Sequence, residues 1–271
     1  YAFKFVWAPI IDKLPLPYFS KMIGRRKSWL LLSQLAIVGS LILMGINDPS
    51  VSLSITAIFA IILGFSSATQ DIVIDAYRIE SAIQEFQGLM SSGYITGYRI
   101  GMLVAGAGAL ELASLFESGQ EYDFQAWSLT YIVMASIMFL VIIVTLFIPE
   151  PSPSALKIEE EKGGADYLKF ALFFITLVSV FVGCYILMSE SAEKVIGLFI
   201  SKEELNLDVG GFFVEGLRSI ISLLVTFLCG KILIKAKLVS KKFVAAVYFD
   251  PVLDFFNRYG KTAILIIFLI S

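Results

Sequence analysis

Histidine is absent from the 271 residues, which excludes any histidine-based metal site or proton relay. Only two cysteines occur, Cys184 and Cys229, so a disulfide scaffold is excluded as well. Both lie inside apolar runs with nothing nearby to activate a thiol, and they read as apolar filler. Charge is scarce: 16% of residues are Asp, Glu, Lys or Arg, against about 25% in soluble domains. A net charge of −2 leaves no basic footprint for nucleic acid. No Ser–Lys or Ser–His arrangement has a plausible partner, and no glycine-rich string sits in a strand–helix context, so enzyme and cofactor readings are not supported.

Apolar sequence takes the place of what is missing. Hydrophobic residues make up 58% of the chain, and mean hydropathy is +0.84. Six complete runs emerge: Ser28–Ile46, Leu53–Asp75, Tyr94–Phe116, Ala126–Ile148, Leu168–Met188 and Phe212–Ile234. Each is close to the roughly 20 residues that a bilayer-crossing helix needs. Period-2 alternation is missing, and lipid admits only helices or closed barrels, so the expected fold is an all-α polytopic membrane bundle. The first run ends at Asp12, and the last holds nine apolar or small residues from Thr262 to Ile270. Both are too short to cross, and the expectation is a chain cut within two of its helices.

Basic residues alternate from loop to loop. Lys13–Lys27 has five, the loop around Arg78 one, Pro149–Lys169 three and Lys231–Lys261 seven. The intervening loops, Asn47–Ser52, Glu117–Gln125 and Ser189–Gly211, hold none, none and two. Sixteen against two places the basic loops in the cytoplasm by the positive-inside rule. Trp29, Tyr94, Trp127 and Tyr167 at span ends suit an interfacial belt. Three regions follow. Residues 1–148 form a bundle, 149–261 a linker carrying an inserted hairpin (168–188 and 212–234) and a basic amphipathic stretch, and 262–271 the start of a further helix.

Ionisable residues inside spans are costly and are rarely idle. Asp71, Asp75 and Arg78 stand at i, i+4 and i+7, within about 60° on one helix face, with Thr69 and Gln70 beside them. Lys4 lies in the first run and Arg99 early in the third complete span. Counted from the basic loops, Lys4, Asp71 and Arg99 sit roughly 8–13 Å deep, on three different helices. They are expected to share a polar site. The alternatives are a salt-bridge cluster that pins helices, or snorkelling of the two cations to the interface. Glu215 and Arg218, at i and i+3, are expected to pair with each other. Gly93, Gly97, Gly101, Ala105 and Ala109 recur every fourth position and offer a packing face for another helix.

Asp12-Lys13 followed by Gly24-Arg25-Arg26-Lys27 resembles the basic loop between the second and third helices of the major facilitator superfamily, stretched here by Leu14-Pro15-Leu16-Pro17. Three further strings carry a narrower resemblance. They are Phe3-Lys4-Phe5-Val6-Trp7-Ala8-Pro9-Ile10-Ile11-Asp12, Ala68-Thr69-Gln70-Asp71-Ile72-Val73-Ile74-Asp75-Ala76-Tyr77-Arg78 and Gly97-Tyr98-Arg99-Ile100-Gly101. Together they resemble AmpG-type muropeptide permeases, a branch shared with acetyl-CoA transporters. The resemblance makes the first run core helix two and the next four spans core helices three to six, without core helix one or most of the second half. It implies proton-driven import of anhydro-muropeptides across the bacterial inner membrane for peptidoglycan recycling. It further implies that Arg99, Lys4 and Gln70 bind solute, that Asp71 and Asp75 carry the proton, and that Asp12, Arg25, Arg26 and Arg78 form the gating loop. An importer of another anionic solute such as acetyl-CoA is the alternative within transport. Outside transport it is a membrane scaffold or the remnant of a decayed gene.

Overall fold

The computed structural model describes residues 4–16, 18–117, 119, 122–151, 164–188, 191, 195, 208–260 and 262, and every regular element among them is helical. The chain divides into two compact units, Tyr1–Ile158 and Glu159–Ser271.

The first unit starts with α1 (Lys4–Lys13) and the short α2 (Phe19–Ile23). Gly24, at φ +96°, turns the chain into α3 (Arg25–Ile46), a conformation that glycine adopts without the penalty a Cβ would bring. Next come α4 (Leu53–Ser81), a 3₁₀ turn at Gln84–Phe86, and α5 (Gln87–Leu103). A π turn at Val104–Gly108 joins α5 to α6 (Ala109–Phe116), and α7 (Phe124–Phe147) closes the unit. The Asn47 side chain donates to Ser52 O at 3.2 Å and to Thr56 Oγ1 at 2.7 Å, fixing the α3–α4 turn. Asp123 caps α7 by accepting from the backbone N–H groups of Gln125 and Ala126 at 2.9 and 3.3 Å. α3 lies at the centre, packed on α4 and α7, while α1 packs on α4 and α6 on α7.

The interior mixes small polar residues with apolar ones. Ser28, Ser33, Gln34, Ser40, Ser66, Thr69, Thr130 and Thr145 are buried, whereas Leu140, Val144 and Phe147 are 61%, 62% and 84% exposed. Several of the buried hydroxyls donate back to their own helix, as Ser40 does to Ala36 O and Thr130 to Ala126 O. Gln34 reaches across instead, its Nε2 donating to Thr145 Oγ1 at 2.9 Å and tying α3 to α7. Small polar residues between helices and large apolar ones outside are what lipid as solvent favours. Among the described residues six helices are long and apolar enough to cross a membrane: Arg25–Ile46, Leu53–Ser81, Gln84–Phe116, Phe124–Phe147, Leu168–Leu187 and Gly211–Lys235. The fold is an all-α, multi-pass membrane bundle.

Helix ends differ from the apolar runs in one consistent way. α3 begins three residues before Ser28, α4 runs on to Ser81 past Asp75, and helix precedes Tyr94 from Gln87. An apolar run reports the length in lipid, whereas a helix continues until its backbone groups find caps or water.

In the second unit α8 (Gly164–Leu187) and α9 (Asp208–Lys235) pack as a hairpin. Gly230 faces Leu177 of α8, where a Cβ would make an ordinary contact at 3.5 Å. As expected, Arg218 pairs with Glu215 at 2.5 Å; it also donates to the Tyr185 carbonyl at 3.0 and 3.2 Å, which ties the helices together. After α9 come α10 (Lys241–Val244), a π turn at Ala245–Phe249 and α11 (Asp250–Tyr259). Most of the charged linker, 152–163, and the further run, 263–271, lie outside the described residues.

Candidate functional site: two charged layers on α1, α3 and α4

Ile11, Leu30 and Val73 form a buried apolar cluster where α1, α3 and α4 meet, with Trp7, Trp29 and Ile72 packed against it. This cluster fixes the rotation of α1 on α4. Trp7 extends the contact, its Nε1 donating to Thr69 Oγ1 at 3.2 Å and its ring lying 4.9 Å from that of Phe65. Trp29 Nε1 donates to Leu14 O at 2.7 Å, seating the start of α3 against the chain leaving α1.

That register brings Lys4 of α1 opposite Asp71 of α4, with Nζ and Oδ2 3.9 Å apart. The carboxylate is 17% exposed and the ammonium 41%. One turn further along α4, Asp75 meets Arg78 at 3.5 Å. Arg78 also donates to Ser91 Oγ and lies 5.4 Å from the Tyr94 ring centre, so it joins α4 to α5. Gln70 is half-buried beside Asp71.

Arg99 is placed apart. It is exposed on α5, and no hydrogen bond or ion pair joins it to another of the described residues. α5 itself buries none of its residues, and a Cβ at Gly93, Gly97 or Gly101 would meet nothing within 4 Å. Ala105 falls in the π turn and is exposed. The expected trio is therefore a pair, Lys4 with Asp71, plus a separate cation. A depth count fixes height in the membrane but not the direction in which a side chain faces.

The second layer lies where α2 meets α3. Arg26 is 3% exposed; its Nη2 is 2.5 Å from both Asp12 Oδ1 and Glu80 Oε1, and its Nε donates to Glu80 Oε2 at 2.9 Å. Arg25 donates to the Asp12 carbonyl and pairs with Glu80 at 3.2 Å. Asp12, Arg25 and Arg26 thus gather in one assembly, while Arg78 belongs to the layer of Asp75. Two acids complete this assembly without any expectation from sequence. Glu80 bridges both guanidinium groups. Glu150 accepts from the backbone N–H groups of Arg26 at 2.8 Å and Lys27 at 3.1 Å, capping the first turn of α3 from 124 residues away. Counting only basic residues in the loops passes over Glu80, and Pro149-Glu150-Pro151 reads as a stiff linker. Nor does spacing mark Glu80: nine residues, two and a half turns, after Asp71 on one continuous helix puts it on the opposite face.

Chemically, the Lys4–Asp71 pair sets an ammonium and a carboxylate facing each other from two helices, groups able to meet ionic or polar solute atoms. Among the described residues no group of three or more Cys, Asp or Glu could hold a metal ion.

Comparison with known proteins places these features in context. The Major Facilitator Superfamily profile matches residues 2–269. The anhydromuropeptide permease of Escherichia coli K12 is 37% identical over 152 residues, 56% of this chain and 28% of that protein. A Rickettsia conorii protein named AmpG 4 is 40% identical over 148 residues, 55% of this chain and 33% of its own length. A Haemophilus influenzae protein without an assigned role is 38% identical over 148 residues, 55% of this chain and 32% of its length. The chain thus spans about a third of the length of these relatives. No solved structure matches it.

Proposed function

We infer the function from one premise: the chain belongs to the Major Facilitator Superfamily, and it resembles the AmpG-type permeases within it. We propose that it contributes the first half of a secondary transporter that imports anhydro-muropeptides across a bacterial inner membrane by proton symport. The observation that carries this reading is the Lys4–Asp71 pair, two opposite charges 3.9 Å apart on different helices at membrane depth. In this mechanism a proton on Asp71 removes its charge, and the solute carboxylate takes its place beside Lys4. Neither proton nor anion then binds well alone, which is the requirement for symport. Asp75 passes the proton on along the same helix face, and Gln70 and Arg99 add solute contacts. The Asp12–Arg25–Arg26–Glu80 assembly holds α1, α3 and α4 together while the bundle rocks. The sixteen-to-two loop asymmetry supports a cytoplasmic position for that assembly.

Alternating access needs a second wall facing the first, with solute near mid-membrane between them. We therefore propose that residues 1–271 alone do not accumulate solute and that a second six-helix half supplies that wall. Uptake of labelled anhydro-muropeptide by vesicles bearing a full-length carrier built on this bundle tests the substrate. Saturable uptake that unlabelled muropeptide suppresses and acetyl-CoA does not is the expected result. Uptake of acetyl-CoA with no muropeptide uptake would overturn the substrate and favour the acyl-CoA alternative.

A further inference from the structure

We propose that the segment from Lys231 to Tyr259 is a membrane-surface clamp whose partner is an anionic phospholipid headgroup layer. Its first part, Lys231–Lys242, carries five lysines, Lys231, Lys235, Lys237, Lys241 and Lys242, and no acid, and all five are exposed. The position of the cluster follows from chain connectivity. α9 is long and apolar enough to span the membrane and ends at Lys235, so the next few residues cannot leave the bilayer surface. Clusters of this size immediately beside a spanning helix attract anionic lipid by about fivefold in binding for each lysine near the surface.

The backbone supplies an independent observation. α9 ends in a 6→1 and 5→2 pair of bonds, from Leu238 N to Leu233 O at 3.2 Å and from Lys237 N to Ile234 O at 3.0 Å. In this termination the residue between them takes the left-handed conformation, a position that glycine fills in most helices. Here it is Lys237, at φ +58°. A side chain at that φ opposes folding, so stability alone does not account for a lysine. A cation held at the point where the chain bends onto the surface does.

α11 gives the clamp its apolar side. Successive residues step by 100°, which puts Phe249 and Phe256 within about 20° of each other and Asp254 on the opposite face. Phe249 is 58% and Phe256 38% exposed. A short helix with an exposed apolar face and polar residues opposite lies in the interface plane when basic residues anchor it to anionic lipid. The clamp does not depend on which solute is transported.

Spin labels test the clamp in the full 271-residue chain, with Cys184 and Cys229 replaced and the protein reconstituted into phosphatidylglycerol-rich or pure phosphatidylcholine vesicles. Cysteines introduced as Phe256→Cys and Asp254→Cys carry the label. In phosphatidylglycerol the Phe256→Cys label should be more accessible to oxygen than to an aqueous nickel chelate, and the Asp254→Cys label the reverse. The contrast should shrink in phosphatidylcholine and at high salt. Lys237→Gly is the decisive variant, since it relieves the backbone and removes the charge together. It should fold at least as well as the parent while weakening surface binding about fivefold. Equal aqueous exposure of both labels in phosphatidylglycerol would overturn the proposal, as would a contrast in Lys237→Gly that survives to the same salt concentration as the parent's.

Discussion

At the scale of single residues, charges inside apolar spans do different work according to what faces them. Asp71 has Lys4 opposite, Asp75 has Arg78 on its own helix, and Arg99 is exposed on α5. That all three stand within or at the end of an apolar run was legible in the sequence. Their grouping was not, since facing depends on the Ile11–Leu30–Val73 cluster that sets helix rotation. In the proposed transporter Arg99→Gln should lower affinity for anionic solute several-fold with protein abundance unchanged. Equilibrium binding beside quantitative immunoblotting separates the two; equal losses would make Arg99 a folding residue.

Another residue-scale expectation concerns the loops. Asp48 accepts from the Ser50 hydroxyl at 2.7 Å, the Ser50 N–H at 2.8 Å and Tyr122 OH at 3.0 Å. These bonds, the Ser50 hydroxyl first, hold its carboxyl below the ordinary aspartate range. Tyr122 is pushed up, chiefly by desolvation and then by Asp48. For a depressed carboxyl, stabilisation is present above its unfolded-state pKa and is lost as pH falls through the folded value. The difference in Tm between the protein and Asp48→Asn should therefore be present at neutral pH and vanish in acid. A difference independent of pH would remove the role of the carboxylate.

At the scale of elements, six spans were legible because each is a long apolar run, and the structure has six helices at those places. Their ends were less legible, since caps come from distant residues. Glu150 shows the reason: it caps α3 across 124 residues, and no local pattern marks it. Glu150→Gln keeps one acceptor oxygen and should cost about 1 kcal/mol, whereas Glu150→Ala removes the cap altogether at up to about 2 kcal/mol. Glu80→Ala should be worse, at about 3–5 kcal/mol, because it leaves Arg26, 3% exposed, with a weakened counter-charge. Thermal unfolding in detergent ranks the three; an undisturbed Glu80→Ala would mean that water compensates Arg26 fully. The π turn at Val104–Gly108 had no sequence signal beyond Gly106 and Gly108.

At the scale of the whole molecule, composition alone identified the solvent. A chain that is 58% apolar buries serines and threonines between helices and turns leucine and phenylalanine outward. Orientation rests on the loop charges, and reporter fusions at Arg25 and Lys242 should read cytoplasmic while those at Asn47, Gln120 and Asn206 read external. A cytoplasmic signal at Asn206 would remove the α8–α9 hairpin from the membrane.

The account as a whole turns on coupling at one carboxylate. The most direct measurement is muropeptide transport in vesicles by a full-length carrier built on this bundle, comparing Asp71→Asn with the parent both in a proton gradient and in gradient-free exchange. Uphill accumulation should disappear in Asp71→Asn while exchange of solute across the membrane persists, because a neutral side chain mimics the protonated state and leaves the place beside Lys4 to the anion. Gradient-driven accumulation by Asp71→Asn equal to that of the parent would contradict the account.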